Sequence, residues 1–388
     1  MVQVDMRIIV LLLCLFPFVG TAQEEYKDPK NKKFKETFEG GLLHKVTYYP
    51  EVQFSSQPKN IILMIGDGMG VAQVFAGMTA NQGRLYLENF KHVGFSRTQS
   101  ADNYITDSAA GGTALACGVK TYNHAIGLDA NGKKVENVCE VASKKGMNTG
   151  VVTTALVNHA TPAVFYAHQP HRNEYEAIAY DLFKSDIDVA IGGGRKHFEN
   201  RTDGLNISDS LRKKGMQVVH NVDELKKVKK ASVVGLFADM HVPHYPERGQ
   251  MLSESTEQAI RLLNENSKGF FLMVEASKID AGGHQNKTPF VTKEMLDFDQ
   301  AIGRALEFAV KDRETLVIVT ADHETGGMSN TGGVMQKGEV SGQFIWGKHT
   351  GTPVPIFAFG PGAKAFTGIM QNTAIARKMM EMIRNRKN

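Results

Sequence analysis

Cysteine is almost absent: this chain of 388 residues has three, at Cys14, Cys117 and Cys139. A disulfide framework is therefore excluded, and the fold must rest on a buried core, which this length can supply. Cys117 lies in a small-residue helical pattern and reads as a buried thiol, with a bond to Cys139 as the alternative. Charge of one sign is scarce too. The net charge is +4, and basic residues gather only in short pairs such as Lys226-Lys227 and Lys229-Lys230, so nucleic acid is not expected as a partner. No apolar run approaches the roughly 20 residues of a membrane span. There is no internal repeat, no low-complexity tract and no Pro/Ser linker.

The run Ile8–Phe16 follows Arg7 and precedes Pro17 and a small-residue exit, Gly20-Thr21-Ala22. This is the three-part pattern of a secretory signal peptide over residues 1–22, cleaved after Ala22. Leu13 before Cys14 argues against a lipoprotein site. The expected mature protein is exported, periplasmic or secreted, and comprises residues 23–388 as one domain, with Gln23–Ser56 as an arm.

Apolar stretches of strand length alternate with amphipathic ones. Strands are expected at Asn60–Ile65, His92–Arg97, Thr149–Thr153, Val189–Gly192, Val233–Phe237, Phe270–Glu275, Thr315–Thr320 and Pro355–Phe359. Helices are expected at Glu136–Lys145, Glu174–Lys184, Glu254–Asn266 and Thr292–Lys311. The last carries Met295, Phe298, Ile302, Leu306 and Ala309 on one stripe. Such alternation predicts an α/β fold: a largely parallel central sheet with helices on both faces.

In such sheets ligands bind beyond the strand carboxyl ends, and there this chain places its metal-capable residues. Asp67 follows the first strand. Glu275, with Asp280 and His284, follows another. Asp322-His323 follows Thr315–Thr320, and His349 precedes the last strand. Holding so many charges together is costly without a cation. Thr106–Ala114 runs into a helix of small residues, where free N–H groups favour an anion. Ser108, at its start, is either a plain helix cap or a nucleophile activated by a nearby cation.

These segments resemble the alkaline phosphatases. The likeness rests on Gly66-Asp67-Gly68-Met69-Gly70, Thr106-Asp107-Ser108-Ala109-Ala110, Cys117 through Asn123, His159-Ala160-Thr161-Pro162-Ala163, Gly192-Gly193-Gly194-Arg195, Glu275 through His284, Thr320 through Thr325, and His349-Thr350-Gly351. The resemblance implies hydrolysis of phosphate monoesters with two zinc ions and one magnesium ion. Asp280, His284 and His349 would hold one zinc, where the leaving group and then water sit. Asp67, Asp322 and His323 would hold the second, which activates Ser108. Glu275, Thr161 and a second oxygen of Asp67 would hold magnesium, and Arg172 would clamp the phosphoryl group. The reaction needs up to roughly 20 kcal/mol of barrier reduction, which two cations about 4 Å apart suit by stabilising both the entering and departing oxygens.

The chain departs from the pattern in places. His159 stands where many bacterial members have Asp. Ala281 follows Asp280, where Lys or His is usual. Only 25 residues separate His323 from His349, so a small or absent crown subdomain is expected, with a monomer or a homodimer both open. A sulfatase is excluded because Ser108-Ala109-Ala110 lacks the required Pro and Arg. A phosphodiesterase and an inactive phosphate-binding protein are the competing readings.

Overall fold

The computed structural model describes residues 36–386, so the expected signal peptide lies outside the described residues. Its centre is a ten-stranded sheet. In chain order the strands are β1 (Asn60–Gly66), β2 (His92–Arg97), β3 (Asn148–Leu156), β4 (Val189–Gly193), β5 (Gln217–Val219), β6 (Val233–Leu236), β7 (Phe270–Ala276), β8 (Thr315–Thr320), β9 (Val354–Phe359) and β10 (Gly368–Gln371). Across the sheet they run β10-β2-β9-β8-β1-β7-β3-β4-β6-β5. All eight expected strands are present. The short edge strands β5 and β10 carried too little apolar sequence to be foreseen.

Every neighbouring pair is parallel except the two made by β9, which is antiparallel to β2 and β8. That reversal explains why one expected ligand precedes its strand while the others follow theirs. The entry end of β9 lies at the same sheet edge as the exit ends of β1, β7 and β8, so His349 meets Asp67, Glu275 and Asp322 there.

The central strands are buried on both faces. Ile62 and Met64 of β1 join one core with Leu272, Val274, Val317 and Val319, while Ile61, Leu63 and Ile65 join the other with Phe271, Met273, Leu316 and Ile318. Each such side chain contributes roughly 1.5–3 kcal/mol by leaving water. The first core is covered by a 25-residue helix, Thr288–Asp312, whose expected stripe (Met295, Phe298, Ile302, Leu306 and Ala309) is buried as a unit. It begins earlier than expected because Pro289 suits a first helical turn. The second core is covered partly by α1 (Ser108–Cys117), buried along its whole length, and by Asn372–Arg384 through Ile375 and Met379. Cys117 and Cys139 are both buried free thiols.

The stretch between His323 and His349 forms only a hairpin, Ser329–Val334 with Glu339–Gln343, joined at its edge by Glu36–Phe38 of the arm. This agrees with the expected small crown. Among the described residues no helix is long and apolar enough to cross a membrane.

Candidate metal centre

Two loops from neighbouring strands converge on Ser108. Asp67 leaves β1, Asp322-His323 leaves β8, and their ligand-capable atoms lie within 4.8 Å of one another. His323 Nε2 is 3.4 Å from Asp67 Oδ1, 3.3 Å from Asp322 Oδ2 and 3.2 Å from Ser108 Oγ. The cap of α1 is Asp107, whose Oδ1 accepts from Ala110 N at 2.9 Å. Ser108 is therefore the first helical residue and is not needed as a cap. Small residues make this approach possible: a Cβ on Gly111 would stand 2.9 Å from Asp322 O.

A second cluster stands beside it. Asp280 and His284 come from α2 (Lys278–His284), a helix that contains Gly282-Gly283. Tertiary packing overrides that low helix propensity, and the helix puts the two residues one turn apart on one face. His284 Nε2 is 3.3 Å from Asp280 Oδ1, His349 Nε2 is 3.5 Å from it, and the two Nε2 atoms are 3.1 Å apart. Gly68 (φ +75°) lets the Asp67 loop touch this helix: a Cβ there would meet Asp280 Cα at 2.7 Å.

Hydrogen bonds on the far side of each ring fix its tautomer. His284 Nδ1 donates to Gly347 O at 2.8 Å, and His349 Nδ1 donates to Thr106 O at 2.9 Å. Thr325 Oγ1 spends its proton on Asp280 Oδ1 (2.5 Å) and so accepts from His323 Nδ1 at 3.2 Å. All three Nε2 atoms thus face inward, and each offers a lone pair to a cation once it carries no proton. The strand pair Glu324–Thr325 with His349–Thr350 joins the two clusters, and the rings of His323 and His349 stack at 3.5 Å.

Behind them lies a third group. Thr161 Oγ1 is 3.5 Å from Asp67 Oδ2, and Thr153 Oγ1 donates to Glu275 Oε2. Glu275 Oε1, Asp67 Oδ1 and Asp322 Oδ2 are buried without a hydrogen-bond partner. Orphaned buried carboxylate oxygens are rare, and these three point to cation ligation. Arg172 reaches the same crevice. Its Nη1 donates to Asp107 Oδ2 at 3.0 Å and its Nη2 to His159 Nε2 at 3.3 Å. All ten residues expected at the site are therefore assembled at one sheet edge.

A sequence profile of the family described as alkaline phosphatase matches residues 58–348. The chain belongs to the alkaline phosphatase family. Its members are phosphomonoester hydrolases. Among curated relatives, alkaline phosphatase 4 of Bacillus subtilis is 44% identical over 71% of this chain, a match that spans 64% of that protein's length. Alkaline phosphatase of Escherichia coli is 33% identical over 81% of this chain and 84% of its own. Among solved structures, alkaline phosphatase from the Antarctic bacterium TAB5 superimposes with a TM-score of 0.81 at 38% identity, covering 85% of this chain and 100% of that one. A variant of that protein with one histidine changed to aspartate has magnesium bound in its M3 site (TM-score 0.80, 37% identity, 86% of this chain and 100% of that one).

The electrostatics of this alkaline phosphatase site follow from its crowding. Burial, then the charges of Asp280 and Glu275, pushes Asp322 up to about 8. Burial raises Glu275 to about 7 against the hydrogen bonds of Thr153, Thr161 and Asp67. Asp67 is raised well above its ordinary value by burial and by Asp322. Burial pushes Asp280 upward as well, but the hydrogen bond from His284 and the neighbouring histidines outweigh it and hold it low. The hydrogen bond to Asp280 in turn lifts His284 to about 9. Burial lowers His323 and His349.

Sequence reasoning missed several members of the site. Asp107, Thr153 and Thr325 orient ligands or Arg172 from loop or strand-end positions that carry no signal of their own. Lys278 is buried, and His171 stacks on His124 at 4.9 Å. His241, after β6, meets the ring of His159 at 5.4 Å.

Proposed function

We propose that this chain hydrolyses phosphate monoesters to alcohol and inorganic phosphate through a phosphoserine on Ser108, with two zinc ions and one magnesium ion. The observation that carries the reading is the convergence of His284 Nε2, His349 Nε2 and Asp280 Oδ1, 3.1–3.5 Å apart, in one three-residue cluster. Without metal a proton on His284 bridges these atoms; a cation in its place takes all three as ligands.

Asp280, His284 and His349 would hold one zinc, Asp67, Asp322 and His323 the other, and Glu275, Thr161 and the second oxygen of Asp67 the magnesium. Bound there, such cations polarise the phosphoryl group and lower the proton affinity of an attacking oxygen. The TAB5 variant with magnesium in its M3 site supports magnesium as the third ion.

Ser108 Oγ, at the positive end of α1, attacks phosphorus while the alcohol oxygen departs on the opposite side. Water then displaces Ser108 from the side the alcohol left, releasing phosphate and restoring the hydroxyl. Arg172 donates to two phosphoryl oxygens, a task its planar fork suits, and Asp107 keeps it aimed. A monoester's double negative charge matches this arginine and its cationic surroundings better than a diester does. We place the enzyme outside the cytoplasm, as a single catalytic domain over residues 23–388, with a small-molecule substrate and a monomeric or homodimeric state.

The test uses demetallated protein reloaded with zinc and magnesium. A chromogenic monoester should be turned over far faster than the matching diester. Acid quenching with labelled substrate should trap phosphate on wild type and none on Ser108→Ala, with zinc content unchanged. Label on another side chain of the variant would refute the nucleophile, and full activity without metal would refute the site.

A further inference from the structure

The three histidines of the metal clusters each have Nδ1 fastened to an oxygen. His159 does not. Its Nε2 accepts from Arg172, so the ring proton is on Nδ1, and that atom is buried without a partner. What else holds this ring is His241, edge to face, with centroids 5.4 Å apart and planes at 71°.

The loop that delivers His241 is anchored on both sides. Upstream, Gly194 N donates to Ala238 O and Met240 O, each at 3.0 Å, and Lys196 N donates to Asp239 O at 3.2 Å. Gly193 has no room for a side chain, since its Cβ would fall 1.9 Å from Met240 O. Downstream, Tyr245 N donates to Glu294 Oε1 at 2.9 Å, and Arg248 pairs with Glu294 and Asp297, side chains 1%, 0% and 0% exposed. Breaking such a buried ionic group by removing one partner is strongly destabilising, so the loop is held firmly while His241 at its crest stays exposed.

We propose that His241 is a positioning residue, whose ring packs His159 in place and through it fixes the Nη2 edge of Arg172 for phosphate. The assignment rests on the reading of Arg172 as the phosphoryl clamp. It makes a packing claim: an aromatic ring is required at 241, and its nitrogens are not.

Calorimetric titration of inorganic phosphate into the zinc- and magnesium-loaded protein, with kcat and KM for a monoester and melting temperature alongside, tests this. His241→Ala should weaken phosphate binding about three- to ten-fold, the scale of an aromatic pair. His241→Phe should stay within about two-fold of wild type. In an Arg172→Ala background, His241→Ala should add nothing, because both act on one element. Equal phosphate affinity in wild type and His241→Ala would overturn the proposal. So would His241→Phe binding as weakly as His241→Ala, which would make the imidazole itself a phosphate contact. If Arg172→Ala alone leaves phosphate affinity unchanged, the clamp fails, and the positioning role falls with it.

Discussion

Gly111 lies on the face of α1 that meets the Asp322-His323 turn, and a Cβ placed there would stand 2.9 Å from Asp322 O and 3.3 Å from Asp322 Cβ. Gly111→Ala therefore forces α1 and the turn apart by about half an ångström, since an unstrained carbon contact needs roughly 3.5 Å or more. Overpacking of this kind costs about 1–3 kcal/mol. Alanine in a helix returns about 0.5–1 kcal/mol relative to glycine, so the net loss of stability should be about 0–2.5 kcal/mol. Catalysis should suffer more. Ser108 lies one turn earlier on the same helix, and a misplacement of about 1 Å costs on the order of 100-fold. Half that displacement predicts a loss of about ten-fold in kcat/KM. Steady-state kinetics on a chromogenic monoester, with melting temperature and zinc content measured in parallel, would separate the two effects. Activity within about two-fold of wild type would show that the helix does not set the position of Ser108 relative to the metal clusters.

Three further outcomes follow from the site. Between pH 7 and 9 the metal-free fold retains protons on Glu275 (about 7), Asp322 (about 8) and His284 (about 9) that the unfolded chain has released. Groups with raised folded values lose their stabilising contribution as pH rises. The melting temperature of the metal-free protein should therefore fall across that window, and zinc should suppress the fall; a flat or rising profile without metal would contradict the electrostatics. Imidazole suits softer metals than magnesium, so His159→Asp should lower the magnesium concentration for half-maximal activity, measured by titration into zinc-loaded enzyme; an unchanged midpoint would detach His159 from the third site. Ala281 is half-buried beside Asp280, and Ala281→Lys should tighten phosphate inhibition several-fold, up to the roughly 1.5–3 kcal/mol of a charge-assisted hydrogen bond; equal inhibition constants would mean that no charge is missing there.

The parts of the molecule written in runs were legible. Strands such as Thr315–Thr320, buried on both faces, show as continuous apolar sequence, and the ligands cluster where those runs end. The direction of β9 was not legible, because a six-residue strand reads the same in either orientation. It took the pairing with β8 to show why His349 comes first. The helical state of Lys278–His284 was hidden by Gly282-Gly283, whose propensity opposes the conformation that packing enforces. Arg172 had no signal of its own apart from the family resemblance, because its partners Asp107 and His159 are 65 and 13 residues away. His241 had no signal at all: its significance is a ring against a ring, and such contacts leave no trace in spacing.

The place of β1 in the sheet bears on when this enzyme can acquire its metals. β1 is the first of the ten strands to be synthesised, yet it sits between β7 and β8, and Phe270 N donates to Asn60 Oδ1 across 210 residues of chain. A polypeptide emerging from the ribosome thus displays Asp67 long before either neighbour of β1 exists, and the last ligand, His349, is made only after β8. Neither cluster is complete until β8 has been made, since one needs Asp322 and His323 beyond it and the other His349. Such non-local pairing makes sheet closure a slow, late event. The two clusters, and with them any firm hold on a cation, exist only once the sheet has closed.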